Sequence, residues 1–459
     1  MTWETWVFLG GLCIAIFILW RRVGLNLSLA SVLIGLLILL HGPAYLYYTR
    51  SWGPETDFYE VILSAAGGPD ILPTLDLALG MTFLFVCLGV IVVDGLTGVN
   101  TTRWRRALML WEGTPVHTNP GDVRRVTLAS AILAVCILLP FMFIDGQLPK
   151  VLHYFTADLG EFDKIALRRE GGGSGFYLYN LLLANLLPFV GFCLLALAFA
   201  PKPAIKVWTI IFIGLIAVGK AATLSKAPLA LFILQCAIVW LMLRKLTLPL
   251  RDVFILAGLA TCLFLLMSWV ANPRLDDLLS IFDFLFYRVF MIVNEGLLEY
   301  FAAIPYVIPH SWGAKFSWIA TLLQSGEPRL ATYWLVGEVH RGVLGSTTTV
   351  MFMGDAWAEF AWFGVAFTAF LAGAVARWID IQLIVKRGKT MASVAGLALG
   401  HFGVFIAMST SFQTSLITGG LLFVVPFVRL ISMRWRARPQ LSPIDAARSA
   451  HPDSSVPSL

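Results

Sequence analysis

The feature that most limits what this chain can fold into is a recurrence of long apolar runs. Residues 71–93 read ILPTLDLALGMTFLFVCLGVIVV, with Asp76 the one charged side chain in the stretch. A helix rises about 1.5 Å per residue, so roughly 20 such residues cross a hydrocarbon layer of about 30 Å with every backbone polar group bonded internally. Comparable runs predict eleven spans, at about 5–20, 25–46, 71–93, 126–144, 177–199, 207–222, 227–243, 252–271, 357–376, 391–410 and 414–432. They leave the chain only 13% charged, where a soluble domain carries about 25%. The short alternating segments of a membrane barrel do not occur. The expectation is an all-α, polytopic integral membrane protein. Its membrane domain covers 1–438, and a polar, Pro/Ser-rich tail over 439–459 reads as disordered and cytoplasmic.

Basic residues set the orientation. With residue 1 outside, the inner segments hold 21 of the 33 lysines and arginines, including Arg21, Arg22 and four in 377–390. Residues 279–305 are apolar enough to tempt a twelfth span, which would turn the 377–390 cluster outward. They are therefore expected to form interfacial or re-entrant helices. The large loops, about 47–70, 145–176 and 272–356, then lie outside. No ATP is available there, so any chemistry needs a substrate that arrives activated. The sequence has no P-loop, no dinucleotide fingerprint and no metal-ligand spacing. Neither cofactor nor metal is expected, and nothing points to nucleic acid. The inner-face cations suit anionic membrane lipid.

The polar residues near the outer rim carry the functional argument. Lys220 ends one apolar run, where snorkelling to the interface is the plain reading. Lys226 follows Ser225 and precedes Pro228 at the start of another, where a helix N-terminus and an ammonium together favour an anion. Arg168 and Arg169 precede GGGSG, and paired guanidinium forks suit phosphate oxygens. Arg288, Glu295 and Glu299 share one face by seven- and four-residue spacing, which allows mutual pairing. Further on, YWLVGEVHRG supplies Glu338, His340 and Arg341 in a Gly-rich stretch at the membrane surface. Asp76 lies inside a span with no evident partner.

Two stretches resemble a known family. TLSKAPLALFIL (223–234) looks like the short Ser-Arg/Lys element that opens a membrane helix in the O-antigen polymerase and ligase superfamily. The long outer loop followed by GDAWAEFAWFGVAFTAFLAG (354–373) resembles the loop-to-helix junction of Wzy-type oligosaccharide repeat unit polymerases. The resemblance covers about 120–380, mostly as pattern. It implies a class C glycosyltransferase architecture in a bacterial inner membrane, with a periplasmic active face. The implied reaction joins undecaprenyl-diphosphate-linked oligosaccharide repeat units into O-antigen, capsule or exopolysaccharide, alongside a flippase and a chain-length regulator. On that footing Lys226, Arg288 and Arg341 would hold the diphosphate, with Arg168 and Arg169 assisting. Glu338 or His340 would be the base for a sugar hydroxyl. A ligase passing finished polysaccharide to a lipid or protein acceptor shares the donor chemistry, and a histidine in the long loop keeps it open. A lipid-linked oligosaccharide transporter is the alternative of another class, although no internal repeat is evident.

Overall fold

The computed structural model describes residues 2–65, 70–118, 120–140, 153, 174–199, 203–222, 226–249, 251–255, 257–258, 261–262, 265, 278–313, 332–342 and 346–432. Among them the chain is helical, with no strand beyond two isolated bridges. Six helices are long and apolar enough to cross a membrane. They are α1 (Trp3–Val23), α2 (Leu29–Glu55), α4 (Leu72–Thr97), α7 (Tyr179–Ala198), α13 (Phe352–Val385) and α15 (Phe412–Ile431). Between them run α3 (Asp57–Ala65), α5 (Thr101–Gly113), α6 (Pro120–Leu133), α8 (Pro203–Ala221), α9 (Lys226–Arg244), α10 (Leu278–Phe286), α11 (Ile292–Ala303), α12 (Thr332–Arg341) and α14 (Met391–Ala407). This is an all-α, membrane-embedded architecture. Most of the predicted span 252–271 and the whole tail 439–459 lie outside the described residues.

The most extensive helix pair is α4 with α13, and α1 flanks α4 on its other side. Close approach decides that first pairing. A Cβ on Gly89 would meet the Phe370 carbonyl oxygen at 2.2 Å, and one on Gly373 would meet that of Val86 at 2.1 Å. Small residues at such a crossing let backbones touch where lipid offers no hydrophobic drive to associate.

Charged contacts define two ends of the bundle. At one end Asp94, 2% exposed, accepts from Arg22 Nε and Arg377 Nε, both at 2.7 Å. The Arg377 guanidinium also lies 3.9 Å from the centre of the Trp104 ring on α5. Asp380 takes the free N–H groups of Leu29 and Ala30 at 2.7 and 2.9 Å, so a carboxylate caps the first turn of α2. We call this the basic end. At the other, the loop end, Asp76 is fully buried and accepts from Thr5 Oγ1 at 2.6 Å, Arg50 Nη2 at 2.8 Å and the Tyr45 hydroxyl. The partners missing from the sequence reading of Asp76 thus come from α1 and α2.

Residues 278–303 run through α10, a wider helical turn at Tyr287–Met291, and α11. Phe286 and Tyr287 lie against Tyr47 and Trp52 at the loop end. Asn294 reaches deeper, where its Oδ1 accepts from His41 Nδ1 at 2.9 Å and its Nδ2 donates to the Leu40 carbonyl. Ile304 returns to the loop end, its carbonyl accepting from Trp357 Nε1 at 3.0 Å. Between Phe286 and Ile304 the chain leaves the loop end and returns to it. Every residue from Asn294 to Ala303 is buried in protein, which is where polar side chains such as Asn294 and Glu299 can be satisfied.

Asp94→Ala removes the shared carboxylate and leaves Arg377, 1% exposed, without the carboxylate it is bonded to. The expected cost is about 3–5 kcal/mol, seen as a marked fall in thermal midpoint of the purified protein in detergent. Arg22→Ala, at a side chain 32% exposed, should cost less. Equal midpoints for wild type and Asp94→Ala would contradict the role given to this carboxylate.

Candidate functional site

The polar cluster at the loop end is built by threading the non-helical residues 346–350 between α11 and α12. A Cβ on Gly296 would meet the Thr349 carbonyl oxygen at 2.1 Å, so the segment can pass only because position 296 has no side chain. The Thr348 N–H donates to the Tyr333 carbonyl at 3.0 Å and fixes the other side. This brings the Thr348 hydroxyl onto Glu299 Oε2.

Glu299 is the centre of the cluster. Its side chain is fully buried and accepts from Arg341 Nη2 at 2.8 Å as well as from Thr348. Arg341 also donates from Nη1 to the Thr347 carbonyl at 2.7 Å and lies 3.9 Å from Glu295 Oε1. Glu295 accepts from the Tyr287 hydroxyl at 2.9 Å. The guanidinium is therefore fixed on two sides while 28% of the side chain stays exposed, a prepared edge that an anion could reach. Burial pushes the Glu299 carboxyl up to about 7, against the Thr348 hydroxyl and Arg341, which hold it down. Burial also raises Glu295, opposed by Tyr287 and Arg341. When Glu299 takes up a proton, the charge on Arg341 is no longer offset by its nearest carboxylate.

The expected site residues fall as follows. Arg341 and His340 lie together at the end of α12, in contact with Glu299. His340 Nε2 donates to the Glu299 main-chain carbonyl at 2.8 Å, which leaves Nδ1 as the unprotonated nitrogen, buried and without a partner among the described residues. Burial lowers its affinity for a proton, and Arg341 adds to that effect. Glu338 is half-buried. Its main-chain carbonyl accepts from Gly342 N–H at 2.9 Å, and its carboxylate has no partner among the described residues. Arg288 is exposed, with its guanidinium 5.2 Å from the centre of the Phe284 ring. It makes no ion pair among the described residues, although its charge still favours ionised Glu295. Helix α9 begins at Lys226, as its placement after Ser225 suggested, but the Lys226 side chain, like Arg168 and Arg169, lies outside what is described.

Two sequence expectations are changed by this geometry. Arg288, Glu295 and Glu299 do not form one paired face, because the wider turn at 287–291 breaks the seven-residue register. Arg341, 42 residues beyond Glu299, takes the place Arg288 was given. Lys220 does not snorkel to a rim. It is 3% exposed, its Nζ 5.6 and 5.4 Å from the ring centres of Phe232 and Phe402. Helices α9 and α14 cover it, and the ring faces supply attraction in place of water.

Beside the cluster α13 is broken. Ala361 has φ +50°, and the N–H groups of Ser311 and Trp312 donate to the Ala358 and Glu359 carbonyls at 3.0 and 2.8 Å. Trp312 itself has φ +48° and is 59% exposed. The only two non-glycine residues with positive φ among the described ones thus meet at one junction. Each conformation costs an ordinary L-residue about 1–3 kcal/mol. Trp357 is stacked on Phe301 at 4.7 Å and carries His310 and Trp362 on its edges. The break falls within EFAWFG, the stretch whose resemblance to a loop-to-helix junction was noted. Glu299, Thr348 and the aromatic junction were not singled out as site residues, and only the density of Trp, Phe and Gly in 354–364 hints at the last.

Fold and cluster together define a membrane-embedded helical protein with a charged, aromatic-edged site at one end. No protein-family model matches the chain, and neither a curated protein nor a solved structure matches it.

The acid equilibrium of Glu299 has a measurable consequence. Between pH 4.5, the ordinary value, and about 7, the folded protein keeps a proton that the unfolded chain has released. This contribution to stability is therefore full at low pH, declines as pH rises through that window and levels off above it. Relative to Glu299→Gln, the wild-type thermal midpoint should fall between about pH 5 and pH 7.5. A difference that does not change with pH would remove Glu299 as the titrating group.

Proposed function

We propose that this protein is a glycosyltransferase that joins oligosaccharide repeat units carried on a lipid diphosphate, using the loop end of the bundle as its active face. The observation that carries the reading is Arg341. It is a guanidinium fixed by Glu299 and the Thr347 carbonyl, partly exposed, at the end of a membrane bundle where a lipid-borne headgroup would arrive. Exposed Arg288, on the segment that also carries Glu295 and Glu299, would supply a second cation.

Cleaving the donor's glycosyl–phosphate bond leaves a diphosphate whose charge grows in the transition state. Fixed cations stabilise that charge without reorganising. The acceptor hydroxyl loses a proton as it attacks; the half-buried Glu338 carboxylate is the candidate base, while His340 Nδ1 is buried and would serve only if the end of α12 opened to the acceptor. Glu299 would act through Arg341, setting both its position and how much of its charge is offset. The aromatic faces at Trp312 and Trp362 would give sugar rings a surface to lie on. The membrane would be the bacterial inner membrane and the loop end periplasmic, in line with the distribution of lysine and arginine. The resemblance of 223–234 and 354–373 to the polymerase and ligase superfamily supports the same reading. In it, undecaprenyl diphosphate is the carrier, and Lys226, Arg168 and Arg169 are further diphosphate ligands.

The test is a liposome assay with a lipid-diphosphate-linked repeat unit from the source organism, resolved by product length. Wild type should give a ladder. Arg288→Ala removes an exposed cation that no carboxylate pairs among the described residues, so the fold is retained while turnover falls about 100-fold. No ladder from folded wild type with authentic substrate would overturn the polymerase reading. A single product formed only when a lipid or protein acceptor is added would select the ligase.

A further inference from the structure

At the basic end an open cleft of about 400 Å³ is lined by Trp20, Leu25, Arg105, Leu248 and Pro249. Its walls are fixed. The end of α1 and the start of α5 are joined by Trp104 Nε1, which donates to the Val23 carbonyl at 2.7 Å. Residues 246–248 run beside 25–27, with Leu27 N–H bonded to the Leu246 carbonyl at 2.8 Å and Leu248 N–H to that of Leu25 at 3.0 Å. Trp111 Nε1 donates to the Met242 carbonyl at 3.0 Å and holds the far end of α5 to α9.

The charges around this cleft are one-sided. Each carboxylate nearby is already engaged: Asp94 with Arg22 and Arg377, Asp252 with Lys245, and Glu112 with the N–H and hydroxyl of Thr247. Arg21, Arg105, Arg106 and Arg251 are exposed and make no ion pair among the described residues. An apolar wall with an exposed indole at its edge and an arginine at its mouth matches a phospholipid entering from the bilayer. Trp20, 65% exposed, would lie at headgroup level, as interfacial tryptophans do. The acyl chains would run along Leu25 and Leu248.

We propose that this cleft binds an anionic phospholipid, its phosphate on Arg105 and its glycerol and upper acyl chains against Trp20, Leu25, Leu248 and Pro249. Basic recesses at the ends of membrane helices hold acidic headgroups because unpaired guanidinium charge in a low-dielectric boundary is stabilised by a mobile counter-charge. The lipid would also bridge α1, α5 and the 246–249 segment, steadying the end of the bundle opposite the proposed active face. The inference does not rest on the glycosyltransferase reading.

The test uses the full chain in a neutral maltoside detergent, with thermal midpoint and native mass spectrometry as readouts. Phosphatidylglycerol should raise the midpoint and persist as a discrete adduct. Phosphatidylcholine and free glycerol phosphate at equal concentration should do neither, the first lacking net charge and the second lacking chains. Arg105→Glu should lower phosphatidylglycerol retention about tenfold or more, each cation near a membrane surface being worth roughly fivefold. Leu248→Trp fills the cleft without altering charge and should also abolish the adduct. Equal retention of the two lipids, or stabilisation by glycerol phosphate alone, would overturn the proposal. So would phosphatidylglycerol retention left unchanged by either variant, since binding would then be diffuse attraction to a basic surface.

Discussion

A buried carboxylate in an apolar bundle must find a cation or enough hydrogen-bond donors, and this requirement organises the molecule. Three carboxylates meet it in the same manner. Asp94 draws Arg22 and Arg377 together at one end. Asp76 draws Arg50, Thr5 and Tyr45 at the other. Glu299 draws Arg341 and Thr348 beneath the long loop. Desolvating such a charge costs several kcal/mol, so each must have its partners in good geometry or the local packing fails. Apolar contact alone would let the helices slide past one another; these clusters fix their rotation and depth.

Two of the clusters brace the ends of the membrane helices, and the third ties α11 to α12 and the 346–350 segment. Arg377 is buried and stacked on Trp104, and Asp76 is surrounded. Each cluster keeps one partly exposed arginine, Arg22, Arg50 or Arg341; Arg341 differs in sharing the neighbourhood of Glu295 with a second cation, Arg288, which makes no ion pair among the described residues. The strain at Ala361 and Trp312 lies on the neighbouring break in α13. The close crossing of α4 and α13 at Gly89 and Gly373 lies about one turn from Asp94 and Arg377, towards the basic end.

The helices were legible in the sequence because a membrane span is written as a single contiguous apolar run. Six of the eleven expected runs are helices long and apolar enough to cross a membrane, with shifted bounds: α2, expected over 25–46, covers Leu29–Glu55, and α13, expected over 357–376, covers Phe352–Val385. The charged pairs were not legible. Asp94 and Arg377 lie 283 positions apart, and no spacing rule reaches that far. Spacing also misled locally, since one widened turn at 287–291 turned Arg288 away from Glu299 and left the place to Arg341. Lys220 looked like a rim residue because the sequence does not show which helices cover it. Within the candidate site, the stretch 338–341 was found from its own density of polar groups. Glu299 was seen only as half of a local pair, since its role depends on a chain crossing made possible by Gly296.

The claim on which the account most depends is that Glu299 and Arg341 act as one unit. A double-mutant cycle in the purified protein measures this directly, with Glu299→Gln, Arg341→Gln and the combined variant compared by thermal unfolding in detergent. Close charge pairs show coupling of about 1.5 kcal/mol or more. The double variant is therefore expected to be clearly more stable than the sum of the two single losses implies, and no worse than Arg341→Gln alone, which leaves a buried carboxylate without its cation. Losses that simply add would show that the two residues are neighbours without being partners, and the site would have to be rebuilt around another cation.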